Sequence, residues 1–297
     1  MSLRDFALMV FVCLIWAVNT VVSKIIVTDY AVAPMFYAAA RFAVVAVVAL
    51  PWLLPAPRPV WRVALVGLLM GGGSFSLLFL GLKTASPSAS AIVGQLSLPI
   101  TTVLSVLMLG EKIHRTRAVG IALSFVGVLI VMYHPGDMQA STGLLFIAGG
   151  AVASSFGAVI MKQIEGVSPL RLLAWVGMTS VIPMVVLSAI FEPGAFGQAV
   201  SVGWPLLAAL LFAALLSSVL AHTIYYGLIQ RYEANLIAPL TLMVPLATIA
   251  LGVAFTGDIF DGRMAIGTAV ALTGVLIIAL RRSHVGAVFL WLRERVG

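Results

Sequence analysis

Residues 81–130 read GLKTASPSASAIVGQLSLPITTVLSVLMLGEKIHRTRAVGIALSFVGVLI, and residues 227–277 read GLIQRYEANLIAPLTLMVPLATIALGVAFTGDIFDGRMAIGTAVALTGVLI. Laying Gly81 on Gly227 brings Gln95 onto Thr241 and Pro99 onto Pro245 at a constant offset of 146. The second copy carries one extra residue before Gly257-Asp258, the counterpart of Gly110-Glu111, and beyond it the offset is 147. Gly120 then meets Gly267, and Gly127-Val-Leu-Ile130 meets Gly274-Val-Leu-Ile277. One proline pair and four glycine pairs in register mark an internal duplication.

Working outward, 62% of the 297 residues are hydrophobic and 9% are charged, and mean hydropathy is +1.16. So little polar surface cannot cover a soluble globule of this size, so the chain is an integral membrane protein. A bilayer core needs about 20 apolar residues per helix. Ten segments satisfy this, at about 6–27, 33–53, 61–82, 86–109, 115–133, 142–162, 170–191, 204–226, 235–257 and 262–281. The runs are continuously apolar, without the alternation of a β-barrel. The expected fold is therefore all-α, with ten transmembrane helices. Residues 1–134 form the first five-helix repeat, 141–282 the second, and 283–297 a cytoplasmic tail.

The net charge of +7 reads as topology and gives no reason to expect a nucleic-acid partner. With ten spans both termini share one side, and thirteen of the seventeen Lys and Arg fall there. Lys24, Lys83 and Arg263 lie opposite, and Arg41 sits inside a span. The positive-inside rule then puts both termini in the cytoplasm. Five spans per copy is an odd number, so the second repeat is inverted relative to the first. Inverted repeats recur in secondary transporters, where exchanging the conformations of two halves alternates access to a central site. Channels and membrane enzymes also carry such repeats, and a transporter is the favoured class.

Polar residues on the spans give the candidate cavity. The first span carries Trp16, Asn19 and Ser23 on one stripe, and its counterpart, the sixth, brings Ser154, Gly157 and Met161 to the equivalent positions with Ser155 beside them. The matched lysines Lys24 and Lys162, at span ends, read as snorkelling to the interface. Arg41 is a functional candidate because an arginine inside a span is costly, although it lies about two turns from the outer end and has a route to snorkel there. In the third span Gly71-Gly72-Gly73 removes side chains from one turn, which permits close packing or local unwinding. Phe79 follows it and is matched with Tyr225 of the eighth span, where Ser218, His222 and Tyr225 share a face. His222 is the leading polar candidate. The fourth and ninth spans offer Gln95 and Thr241, with Pro99 and Pro245 as paired kinks. The expected substrate contacts are Trp16, Asn19, Phe79, Gln95, Ser155, Ser218, His222, Tyr225 and Thr241, and the expected hinges are Pro99, Pro245 and Gly72. The fifth and tenth spans, with their small residues, are assigned to packing.

All ten carboxylates fall in loops or at span ends. No intramembrane acid is available as a proton site, which weighs against proton antiport. The motifs of metalloproteases, serine hydrolases and nucleotide loops are missing. An enzyme is disfavoured, and no cofactor or metal is called for. Cys13 stands alone, so no disulfide framework arises.

The segments around Pro99 with Leu109-Gly-Glu111, and around Pro245 with Gly257-Asp258, each followed by a glycine-spaced helix, resemble the two EamA repeats of the drug/metabolite transporter superfamily. The opening Trp16-Ala-Val-Asn19 also fits the first helix of that family. The second copy departs from the pattern with Asp258 in place of glutamate. The resemblance implies inverted five-helix halves around a central cavity and inner-membrane export of small metabolites, often amino acids. Among the family's members, aromatic amino acid exporters of the YddG type suit a cavity offering Trp16, Phe79, His222 and Tyr225. The expected partners are a small-molecule substrate and the lipid bilayer, with the chain a monomer or weak dimer. Facilitated transport is the primary expectation, and proton-linked efflux or a channel the alternatives.

Overall fold

Serine and proline start the helices, and glycine ends two of them. Ser2 accepts from the Asp5 amide (3.1 Å) and Ser86, followed by Pro87, accepts from the Ala89 amide (3.2 Å), as N-caps do for the unpaired first amides of a helix. The amides of Met35 and Phe36, behind Pro34, are taken up by the two carboxylate oxygens of Glu192 at 2.9 Å each. A carboxylate there satisfies orphan donors and complements the helix dipole. Gly110 and Gly257, matched in the two repeats, both hold φ of +68° at the ends of their proline helices, a conformation open to glycine.

The computed structural model describes residues 1–111, 113–133, 138–164, 167–232, 237 and 239–279, and every regular element among them is helical. The spans are α1 Leu3–Thr28, α2 Pro34–Ala49, α3 Val60–Leu82, α4 Pro87–Leu109 and α5 Arg115–Met132. The second set is α6 Met138–Met161, α7 Pro169–Phe191, α8 Trp204–Tyr225, α9 Met243–Phe255 and α10 Gly262–Ala279. Nine of them are long and apolar enough to cross a bilayer, and α9 is a shorter apolar helix. The ninth span was expected from residue 235. Part of its beginning lies outside the described residues, and within them a turn at Thr241 and Leu242 sets α9 off. The tail expected at 283–297 lies wholly outside them.

The packing exchanges one repeat for the other. α2 packs on its counterpart α7 and α5 on its counterpart α10, while α1 packs on α8 and α9 as α6 packs on α3 and α4. The α5–α10 seam is backbone against backbone, because a β-carbon on Gly127 would stand 2.2 Å from the Ala271 nitrogen and one on Gly274 2.4 Å from the Ser124 nitrogen. Lipid tails are as apolar as the helices, so close approach of this kind replaces the hydrophobic drive that holds soluble helices together.

All four central spans depart from regular α-helix, and they do so in register. In α4 the residues Gln95 and Leu96 form a turn in which the amides of Leu96 and Leu98 reach only three residues back, to Val93 (3.0 Å) and Gln95 (3.2 Å). At the offset of 146, the amides of Leu242 and Val244 do the same to Pro239 (3.2 Å) and Thr241 (3.0 Å). Each turn comes just before the matched proline, whose missing N–H already breaks the ladder. The second pair is widened, not tightened: α3 is π-helical over Leu68–Gly73 and α8 over Phe212–Leu220.

Valine at Gly127 should lower thermal stability in detergent by about 1–3 kcal/mol or more through overpacking. Alanine at Gly197, where a β-carbon meets nothing within 4 Å, should stay within about 0.5 kcal/mol of the parent. A melting curve for each purified variant makes the comparison.

Candidate functional site

The wide turns of α8 create the centre of the site. In a π-helical segment carbonyls are released from the regular ladder, and side chains take them up. The Ser217 carbonyl accepts from the indole Nε1 of Trp16 (3.3 Å), and His222 Nδ1 lies 2.9 Å from it. A carbonyl only accepts, so the proton of this histidine sits on Nδ1. Trp16 then stacks at an angle against His222, with ring centroids 5.0 Å apart, and edge-on against Tyr225 at 5.2 Å. α1 and α8 are thereby joined by an aromatic cluster around one backbone oxygen.

On the next residue the Ser218 hydroxyl donates to the Ala213 carbonyl five residues back (3.1 Å) and accepts from Arg41, whose Nε and Nη2 approach to 3.3 and 3.0 Å. Arg41 is 1% exposed. The sequence left it a route to the membrane surface, and the structure corrects that: the guanidinium turns into the bundle and lies 4.4 Å from the Phe75 ring centre. Phe75 stacks against Phe42 and Phe79, and Phe79 against Tyr37, which is itself fully buried. Tyr37 lies one turn before Arg41 on α2.

Against this centre sits a cavity of about 90 Å³ lined by Phe42, Met70, Phe75, Ser218 and His222, and by Leu172, Leu173 and Val176 of α7. A wider apolar groove of about 620 Å³ lies between α2, the end of α7 and the short helix Ala195–Val202, touching Phe36, Ala43, Val185 and Phe196. Its polar walls are Ser188 and Glu192, whose carboxylate is already engaged by the amides of Met35 and Phe36.

Of the residues singled out in the sequence, Trp16, Ser218, His222 and Tyr225 come together as described. Asn19 is buried one turn beyond Trp16, and its side-chain carbonyl is unpartnered. Phe79 packs in the core with Tyr37 and Leu82. Gln95 and Thr241 occupy the two matched turns, and Pro99 and Pro245 are buried just beyond them. Ser155 is fully buried, with its hydroxyl 2.9 Å from the Ser97 carbonyl and 2.7 Å from that of Ala151, which ties α6 to the broken part of α4. The Gly72 amide donates to Ser180 on α7 (2.8 Å), and a β-carbon on Gly72 would stand 3.2 Å from Ser180 and Met184, so this glycine allows α3 and α7 to close.

The matched lysines also find partners. Lys24 donates to the carbonyls of Leu82 (2.7 Å) and Ala85 (3.1 Å), and Lys162 to Ser105 (2.9 Å) with Glu111 at 3.4 Å. Asp258 reaches across from the loop after α9 to accept from the backbone and hydroxyl of Ser88 at the start of α4. Both loop acids therefore brace ends of the proline helices. The described residues hold no cluster of His, Cys, Asp and Glu arranged to bind a metal.

A model of the EamA-like transporter family matches residues 5–133 and again 141–280, nearly the whole chain in two blocks. The chain belongs to the EamA-like transporter family. As an EamA-like protein it is similar, at 27% identity over 286 residues covering 93% of this chain and 95% of the relative, to a probable amino-acid metabolite efflux pump of Salmonella typhimurium. The Escherichia coli protein of the same description is 26% identical over the same coverage. An uncharacterised inner membrane transporter of E. coli, YedA, is 24% identical over 90% of this chain and 88% of that one. A solved crystal structure superimposes with a TM-score of 0.61 at 19% identity, covering 93% of this chain and 96% of that one, which establishes a shared fold.

Alanine at Ser218 removes the hydroxyl on which two guanidinium donors converge. Hydrogen bonds to a buried charge are worth about 1.5–3 kcal/mol, so Ser218→Ala should lower the unfolding free energy by about that much. Ser201→Ala, which removes an exposed hydroxyl, should change it by less than about 0.5 kcal/mol.

Proposed function

We propose that this EamA-like protein exports amino acids or similar small metabolites across a bacterial cytoplasmic membrane by alternating access, as a facilitator that lets solute run down its gradient. The observation that carries the reading is the pair of in-register breaks, Gln95-Leu96 before Pro99 and Thr241-Leu242 before Pro245. Interrupted spans at corresponding places in two repeats are where transporters of this design hold substrate and bend. Five spans per repeat invert the second half, so what bends towards one side in α4 bends towards the other in α9. The positive-inside pattern puts both termini in the cytoplasm. The similarity to the probable amino-acid metabolite efflux pumps of Salmonella and E. coli favours amino-acid metabolites as cargo.

Uniport is preferred to proton exchange because the carboxylates of the sequence lie in loops or at span ends, and those of Glu111, Glu192 and Asp258 are engaged with helix ends or with Lys162. A protonatable group that also holds the scaffold is poorly placed to be emptied and refilled on every cycle.

Uptake of labelled amino acids into proteoliposomes should saturate and be indifferent to an imposed pH gradient. Flux that follows the gradient would replace the facilitator with a proton-linked carrier, and unsaturated flux would replace it with a channel. His222→Ala should reduce saturable flux by about tenfold, the equivalent of about 1.4 kcal/mol, at unchanged yield of folded protein. Unaltered kinetics would remove His222 from the path.

A further inference from the structure

We propose that Arg41, with Ser218 and Tyr37 around it, is a carboxylate-binding site, so that the substrate must be an acid gripped by its carboxylate. This deepens the export reading and rests on it. Four observations lead there. The guanidinium is 1% exposed in the middle of an apolar bundle, where an uncompensated charge is expensive. Among the described residues the ion pairs are Lys162 with Glu111, Arg231 with Asp5 and Arg263 with Asp261, so no described acid pairs with Arg41. The Nη1 nitrogen has no hydrogen-bond partner, and the fully buried Tyr37, with Ser23 beside its hydroxyl, lies one turn away on α2.

The fourth observation concerns geometry. Nε and Nη2, the edge of a guanidinium that grips a carboxylate through two parallel hydrogen bonds, both fall on the single oxygen of Ser218, at 3.3 and 3.0 Å. Two donors sharing one neutral acceptor are under-served. A carboxylate offers two oxygens to the same edge, supplies the missing negative charge, and leaves Ser218 with its bond to the Ala213 carbonyl. Access is built in as well. Ser218 and Phe75, which both meet the guanidinium, are also walls of the 90 Å³ cavity that extends to His222 and to Leu172 and Leu173 on α7. A ligand in that cavity is separated from the charge by one hydroxyl and one aromatic ring, both on rotatable bonds. Arginine keeps its charge at every physiological pH, so the site takes an anion and not a proton.

The test compares acids with their neutral counterparts on the full chain in nanodiscs and in proteoliposomes. L-Serine, L-leucine and L-phenylalanine are each set against the corresponding carboxamide and decarboxylated amine. Thermal stabilisation reads binding, and competition against labelled amino acid reads transport. At least one acid should bind at least about tenfold more tightly than its carboxamide and amine, a difference of about 1.4 kcal/mol. The preference should vanish in Arg41→Gln and survive in part in Arg41→Lys. If Arg41→Gln does not fold, the wild-type comparison and Arg41→Lys decide. Equal response to acids and amides, no stabilisation by any of the acids, or a folded Arg41→Gln that keeps the acid preference would overturn the site. Saturable transport of amino acids without acid preference would leave the carrier standing and remove the carboxylate site. Acid-selective, Arg41-dependent binding without flux would keep the site and remove the carrier.

Discussion

Inside a bilayer a backbone amide or carbonyl has no water to fall back on, and this protein is shaped by that one restriction. A polar group left bare in hydrocarbon costs several kcal/mol, which is why every regular element among the described residues is helical. The same restriction gives meaning to the places where the helices are irregular. In α4 and α9 the break is repaired by shorter three-residue bonds, and in α3 and α8 by wider turns whose freed carbonyls are claimed by side chains. The Ser217 oxygen serves the imidazole of His222 and the indole of Trp16 at once. The irregular backbone thus adds carbonyl acceptors to the few polar side chains from which an apolar bundle assembles a site.

A second consequence follows for charge. The α2 helix begins on the carboxylate of Glu192 and carries Arg41 two turns in. The acid neutralises helix-end amides, not the arginine, so α2 brings its positive charge into the bundle against the Ser218 hydroxyl and the Phe75 ring. Weak cover of this sort is compatible with a resting state and easily improved by an anion. A strong internal ion pair would have been more stable and of no use to a passing solute.

Much of this was legible in the sequence, and the exceptions have physical reasons. The duplication, the number of spans and the paired breaks could be read because proline and glycine act through the backbone, and their register survives when side chains diverge. The small residues of α5 and α10 marked both as packing helices, and the structure shows that they pack on each other. The wide turns of α3 and α8 were not legible, since a π-helical turn needs no particular residue and leaves no periodic mark. Nor was the direction of Arg41: a long flexible chain two turns from a helix end has a path to the surface and a path inward, and only the neighbours on α3 and α8 decide between them. Ser155 shows the limit of a helical stripe. It stands beside the stripe of Ser154 and Gly157, and a helical stripe cannot distinguish an open cavity from the Ser97 carbonyl that its hydroxyl meets.

The glycine seam has a wider meaning. Gly120 lies against Gly274 and Gly267 against Gly127, and because Gly120 corresponds to Gly267 and Gly127 to Gly274, these are one contact made twice. Such reciprocity is the signature of an isologous interface between identical subunits related by a two-fold axis, here enclosed within a single polypeptide. An ancestor half as long, able to insert in both orientations, would have needed only one self-complementary patch to pair with its antiparallel copy. Fusion of two such copies freed the rest of each half to diverge, which is how a symmetric shell now holds Arg41 in one half and Ser218 and His222 in the other.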